Sequence, residues 1–152
     1  MKNKLLYLDD EKSNLDVFKA TFRRDYVVFV TDSTKEAFDI LKSNDIAIVI
    51  SDQRMPKITG CDFLKIAAKD YPDISRVLLT GYSDSVTTIK AINEGRVCRV
   101  LSKPWDSEEL KTIFNEICKD HEEKAKEKQL IKDLITVNKQ LEFQLMQRNL
   151  VG

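Results

Sequence analysis

The residues of this chain best suited to chemistry are carboxylates, a hydroxyl and an ammonium, each just beyond a short apolar run. Asp52 follows Ile46-Ala47-Ile48-Val49-Ile50-Ser51, and Asp9-Asp10 follow Lys4-Leu5-Leu6-Tyr7-Leu8. Thr80 follows Arg76-Val77-Leu78-Leu79, and Lys103-Pro104 come after Val97-Cys98-Arg99-Val100-Leu101. Three carboxylates offer the hard oxygen ligands that Mg²⁺ prefers, with Mn²⁺ as the alternative ion. If Asp9, Asp10 and Asp52 converge, their repulsion raises at least one pKa unless a cation sits among them, so metal binding is electrostatically favoured. With that charge screened, Asp52 can attack a phosphoryl donor in line. Lys103 can hold the phosphoryl oxygens or the attacking carboxylate, and the Thr80 hydroxyl can donate to the arriving group. Pro104 tolerates a cis bond and would aim Lys103 inward from a fixed turn.

Each residue alone has an ordinary structural explanation. Asp9-Asp10 reads as a solvated turn or helix cap, Asp52 as a turn residue before Pro56, Thr80-Gly81 as a strand end and Lys103 as a surface lysine. Their coincidence at four strand ends is what points to one site. Other chemistries find little material: His121 is the only histidine and lies in a charged tail, and Cys61, Cys98 and Cys118 lack metal-ligand spacing. Lys plus Arg and Asp plus Glu are both 25, so no global field favours direct binding of nucleic acid. No apolar stretch approaches the ~20 residues that cross a bilayer, and Met1 leads into a strand rather than a signal peptide. A cytoplasmic protein with reduced thiols is expected.

The positioning elements follow from periodicity. Strands are predicted near 4–8, 26–30, 46–51, 76–79 and 97–101, and helices near 12–23, 34–43, 60–70, 84–94 and from 107 onward. Alternation of this kind predicts an α/β fold, a five-stranded parallel sheet doubly wound with helices on both faces, with its crevice at the carboxyl ends of the strands. Asp32-Ser33-Thr34 with Glu36 after it can cap the second helix, Ser107-Glu108-Glu109 can start the fifth, and Gly95 can end the fourth. Trp105 is expected to pack over the start of the fifth helix.

The 152 residues, 42% of them apolar and 33% charged, suit one domain and an appendage. Beyond Lys119 the composition turns charged, and Leu130, Leu134, Val137 and Leu141 then step by 4, 3 and 4, a coiled-coil seam. Leu145 lies where a strict heptad places Gln144, so the seam drifts or carries a stutter. Neither Gly nor Pro interrupts Ser107 to Asn149, so the fifth helix is expected to extend into a coiled coil, giving a domain over 1–119 and a helical extension or linker over 120–152. The alternative is a helix folded back on its own domain. The end at Val151-Gly152 suits either a piece of a longer regulator or a stand-alone protein.

Four segments together resemble the receiver domain of two-component response regulators, over roughly residues 2 to 118. They are Leu6-Tyr7-Leu8-Asp9-Asp10-Glu11, Ser51-Asp52-Gln53-Arg54-Met55-Pro56 with Gly60, Leu78-Leu79-Thr80-Gly81-Tyr82, and Leu101-Ser102-Lys103-Pro104-Trp105. The resemblance implies a flavodoxin-like sheet of order 2-1-3-4-5. It implies that Asp52 accepts phosphate from a partner histidine kinase or phosphotransfer protein, with at most self-phosphorylation and slow self-dephosphorylation rather than enzymatic turnover. Asp10 and Asp52 would bind Mg²⁺ directly with the Arg54 backbone carbonyl, and Asp9 would act through a water. Lys103 would pair with the phosphoryl group and Thr80 would be the switch hydroxyl. Arg54 and Tyr82 stand at the family's variable positions, where they would modulate phosphoryl lifetime. Val100 departs from the Tyr or Phe that the family places three residues before the lysine. An aspartate-nucleophile phosphatase would need a second Asp at position 54, which is Arg54. The remaining alternative is a coiled-coil adaptor that docks without phosphorylation. On the leading reading the tail forms a homodimer and passes the switch to an output.

Overall fold

The computed structural model describes residues 1–81, 89, 92–93, 97 and 99–151. Most of the helix predicted at 84–94, with its Gly95 terminus, Tyr82 and Cys98, lies outside the described residues, so the helices are numbered here without it. Five strands, β1 (Lys4–Leu8), β2 (Val27–Thr31), β3 (Ile48–Asp52), β4 (Ser75–Thr80) and β5 (Arg99–Ser102), form one parallel sheet of order β2-β1-β3-β4-β5. The helices are α1 (Lys12–Phe22), α2 (Thr34–Ser43), α3 (Gly60–Asp70) and α4 (Ser107–Val151). This is the doubly wound architecture expected from the alternating pattern, with the anticipated strand order. Two boundaries moved in a way that matters. β3 and β4 run through Asp52 and Thr80, so these residues are the last of their strands and inherit strand geometry.

Side chains alternate across each strand and so sort into two cores. Leu5, Tyr7, Ile48, Ile50, Val77 and Leu79 face α1 and the first turns of α4, meeting Phe18, Phe22, Leu110 and Phe114. Leu6, Leu8, Val49 and Leu78 face α2 and α3, meeting Ala37, Leu41, Phe63 and Leu64. Five consecutive buried residues in β3 show that both sheet faces are covered, the reason its sequence is a continuous apolar run rather than an alternation. Burial on this scale, at about 25 cal/mol per Å² of apolar surface, is what fixes the strand register and hence the level of the strand ends.

Local signals end the helices where the chain must turn. Ser33 accepts from the Glu36 N–H at the start of α2, as its sequence suggested. α4 begins at Ser107 with Glu108 and Glu109 in its first turn, as expected, and Asp106 before it receives the Glu108 N–H on its side chain and the Leu110 N–H on its carbonyl. Trp105 packs against the core that holds Leu110 and Phe114 of α4, as expected, and its ring also meets those of Phe18 and Phe22 of α1, at 6.1 and 5.6 Å.

The chain divides into two compact units, Met1–Cys118 and Lys119–Gly152. The second is helical, and Leu130, Leu134, Val137 and Leu141 on it are 59%, 56%, 49% and 51% exposed. Its apolar stripe is therefore in solvent in the single chain. No helix among the described residues is long and apolar enough to cross a membrane.

Gly60, the first residue of α3, is a glycine because the backbone passes too close for anything larger. An added Cβ would overlap the Asp52 carbonyl oxygen and stand 2.8 Å from Leu78 Cδ1. Gly60→Ala is expected to lower stability by about 2 kcal/mol, within the range for overpacking a filled site. Urea denaturation measures this, and an unchanged midpoint would show that the loop before α3 yields freely.

Candidate functional site

Strand register brings the sequence-predicted residues to one edge of the sheet. Leu8 lies opposite Ser51, so Asp9 and Asp52 follow at the same level, and Asp52 lies opposite Leu79. Thr80 lies opposite Ser102, and the Lys103 N–H donates to the Thr80 carbonyl at 2.9 Å. The Gln53 N–H continues the ladder to the Leu79 carbonyl at 3.1 Å. Asp9, Asp52 and Lys103 share strand parity with Tyr7, Ile50 and Leu101, so all three side chains leave the same face of the sheet. One oxygen each of Asp9, Asp10 and Asp52 lies within 4.8 Å of the others.

Lys103 sits between two of these carboxylates, its Nζ 2.9 Å from Asp52 Oδ1 and 3.2 Å from Asp9 Oδ2. The bond before Pro104 is cis. Asp9 is fully buried and Asp52 nearly so, whereas Asp10 is exposed. Burial pushes the Asp9 carboxyl up. Hydrogen bonds from the Tyr7 hydroxyl, the Glu11 N–H and Lys103 outweigh that and hold it below the usual carboxylate range. Burial also pushes Asp52 up; Lys103 opposes the rise, the Asp9 charge reinforces it, and the carboxyl ends above its ordinary value. Burial disfavours the Lys103 charge, but Asp52 and Asp9 prevail and raise its pKa. The two carboxylates thus divide into a firmly ionised Asp9 and an Asp52 whose charge the fold resists.

Three carboxylates against the one ammonium that touches two of them form an all-oxygen, charge-deficient donor set, which fits a divalent cation of the Mg²⁺ kind. Thr80 is buried at the end of β4 and Arg54 is exposed in the loop after Asp52. Val100 faces the α2 and α3 side of the sheet, packed beside its register partner Leu78. The seam residues Leu130, Leu134, Val137 and Leu141 belong to the second unit.

Reading residues by type missed four neighbours that shape the site. The Tyr7 hydroxyl donates to Asp9 Oδ2, and Asn14 Nδ2 donates to the same oxygen at 3.1 Å. Gln53 closes the loop after Asp52 twice, accepting the Gly60 N–H on its carbonyl at 3.0 Å and the Cys61 N–H on its side chain at 2.9 Å. Thr59 caps α3 through the Asp62 N–H. Tyr7 was within reach of the alternation rule, since residues two apart on a strand share a face.

The raised Asp52 fixes a sign. A carboxylate whose folded pKa is above its unfolded value opposes folding once both states are ionised, so at neutral pH its charge is a burden. Asp52→Asn, which leaves Asp9 to hold Lys103, is expected to raise the melting midpoint in chelator by about 4 °C, the shift that ~1 kcal/mol gives in a domain of this size. Mg²⁺ should then stabilise wild type and leave the variant almost unmoved. Calorimetry of the two proteins with and without Mg²⁺ checks both, and a lower midpoint for the variant would contradict the charge balance drawn here.

Comparison with known proteins gives a consistent result. Residues 5–115 match the family model of the response regulator receiver domain. The chain is 33% identical over 106 residues to the hydrogenase transcriptional regulatory protein HoxA of Cupriavidus necator, covering 70% of this chain and 22% of that one. It is 35% identical over 114 residues to the response regulator SaeR of Staphylococcus aureus, covering 74% and 49%. The signal receiver domain of an HD domain-containing protein from Pseudomonas fluorescens Pf-5 superposes with a TM-score of 0.76 at 29% identity, covering 81% of this chain and 99% of that one. The chain therefore spans about a fifth of the hydrogenase regulator and about half of SaeR. With the fold, the strand-end cluster and the family match in agreement, the chain belongs to the response regulator receiver domain family.

Proposed function

We propose that Asp52 is the phosphoacceptor of this receiver domain, charged by a partner histidine kinase or phosphotransfer protein and read out through the C-terminal helix. The observation that carries the reading is the Lys103 ammonium bridging Asp52 and Asp9 at the carboxyl edge of the sheet. An Asp52 oxygen attacks the phosphorus of a phosphohistidine, a P–O bond forms as the P–N bond breaks, and the departing imidazole nitrogen takes a proton. Lys103 follows the charge from the carboxylate to a phosphoryl oxygen, and the Thr80 hydroxyl donates to another. Asp10, Asp52 and the Arg54 carbonyl would hold Mg²⁺, with Mn²⁺ as substitute and Asp9 acting through a water. Bound there, the ion neutralises the oxygens that gain charge during transfer.

The phosphoryl group adds nearly two negative charges at neutral pH, and hydrogen bonds to it need favour one state by only a few kcal/mol to reverse a two-state population. Residues 1–119 are the switch and 120–152 the extension that transmits it. The extension forms a homodimer along Leu130, Leu134, Val137 and Leu141, whose exposure in the single chain favours a helical partner. Val100 in place of an aromatic ring means that ring burial at this position does not report the switch. A cytoplasmic location follows from the kinase partner.

Incubation with acetyl phosphate and Mg²⁺ is expected to add one phosphoryl group to wild type and none to Asp52→Asn, read by intact mass. No addition to wild type under conditions that charge a control receiver would favour the docking adaptor. Light scattering should give the molar mass of a dimer for wild type, and of a monomer when Leu134 and Leu141 are both changed to Lys. A monomeric wild type in both phosphorylation states would remove the tail from the account.

A further inference from the structure

We infer that Tyr7 is a positioning residue for the metal site, its buried hydroxyl fixing Asp9 so that Asp10 and Asp52 are the carboxylates presented to the ion. The inference rests on the receiver reading above and concerns a residue that reading does not use. Asp9 Oδ2 receives three donors: the Tyr7 hydroxyl, Asn14 Nδ2 at 3.1 Å and Lys103 Nζ at 3.2 Å. Asp9 Oδ1 receives the Glu11 N–H at 2.9 Å. One oxygen is thus saturated by protein and the other is tethered to the backbone at the start of α1, which suits Asp9 to orient a water rather than to coordinate directly.

The three donors to Oδ2 differ in how firmly they are held. Lys103 rides on a flexible four-carbon stem and is shared with Asp52, and Asn14 is half-buried on α1. Tyr7 comes from the middle of the sheet, is 1% exposed, and its ring lies 4.4 Å from that of Phe18. Phe18 in turn packs on Phe114 of α4 at 6.1 Å. The hydroxyl is therefore aimed by the rigid core, which is what a supporting group for a metal site requires. Without it, Asp9 would rely on Asn14 and Lys103 and draw Lys103 away from Asp52, altering the charge that Asp10 and Asp52 present together.

Tyr7→Phe keeps the ring and its packing and removes only the donor. Titration of the full chain with Mg²⁺ by calorimetry, and with Mn²⁺ by electron paramagnetic resonance, is expected to show metal binding weakened about tenfold, the usual effect of losing an outer-shell partner. The same change in an Asp9→Asn background should have little further effect, because the hydroxyl acts through that carboxylate. Acetyl phosphate labelling of Tyr7→Phe should recover toward the wild-type rate at saturating Mg²⁺. Wild-type affinity in Tyr7→Phe would overturn the inference and leave the receiver reading intact, and so would an equal loss in both backgrounds, which would mark Tyr7 as part of the fold alone. A wild type that binds neither ion would overturn both.

Discussion

The constraint on which the rest of the structure depends is the burial of two like charges, Asp9 and Asp52, at adjacent strand ends, bridged by one ammonium. Lys103 reaches both, and without it the two carboxylates would face each other in a site that water barely enters. The fold meets this demand by register. β1 and β3 end level with one another, β5 lies one strand beyond β4, and Lys103 is tied by its own N–H to the Thr80 carbonyl. A slip of one residue in any of these strands would send a charged side chain into the wrong core. The apolar runs that fix register and the polar residues that end them are thus one design. The core holds the charges close, in a cluster whose mutual repulsion a divalent cation would relieve.

On the proposed function, relief of that kind is what would make the domain a switch. Lys103 neutralises Asp52 in the unphosphorylated protein, and on the proposed function a phosphoryl group on Asp52 would draw on that ammonium and on the Thr80 hydroxyl. The surroundings are asymmetric. Tyr7, Phe18, Phe22, Tyr26, Trp105 and Phe114 fill the side of the sheet that faces α1 and α4, and Val100 stands on the opposite side. The aromatic group includes Phe114 and packs with Leu110, both of the first turns of α4.

Much of this was legible in the amino-acid order, for a physical reason. Strand ends are marked by the change from aliphatic to polar residues, and an open parallel sheet puts its chemistry there, so Asp9, Asp52, Thr80 and Lys103 could be named before their geometry was known. Residues that work through space were harder. Asn14 reaches Asp9 across a helix turn, and Gln53 closes its loop with one backbone and one side-chain acceptor, neither of which leaves a periodic trace. Asp106 receives the Glu108 N–H just before α4, a contact that the reading of Ser107-Glu108-Glu109 as the helix start did not include. Gly60 was visible as part of a motif, but the reason for it, the nearness of the Asp52 carbonyl, is a property of the packed structure alone.

The most direct test of the account is to locate the phosphoryl group. Wild-type protein charged with acetyl phosphate and Mg²⁺ would be reduced with borohydride, which converts an aspartyl phosphate to homoserine, then digested and sequenced by mass spectrometry. The account predicts homoserine at position 52 alone. Homoserine at position 9 or 10, or at none of the three in protein that has demonstrably gained a phosphoryl group, would contradict it.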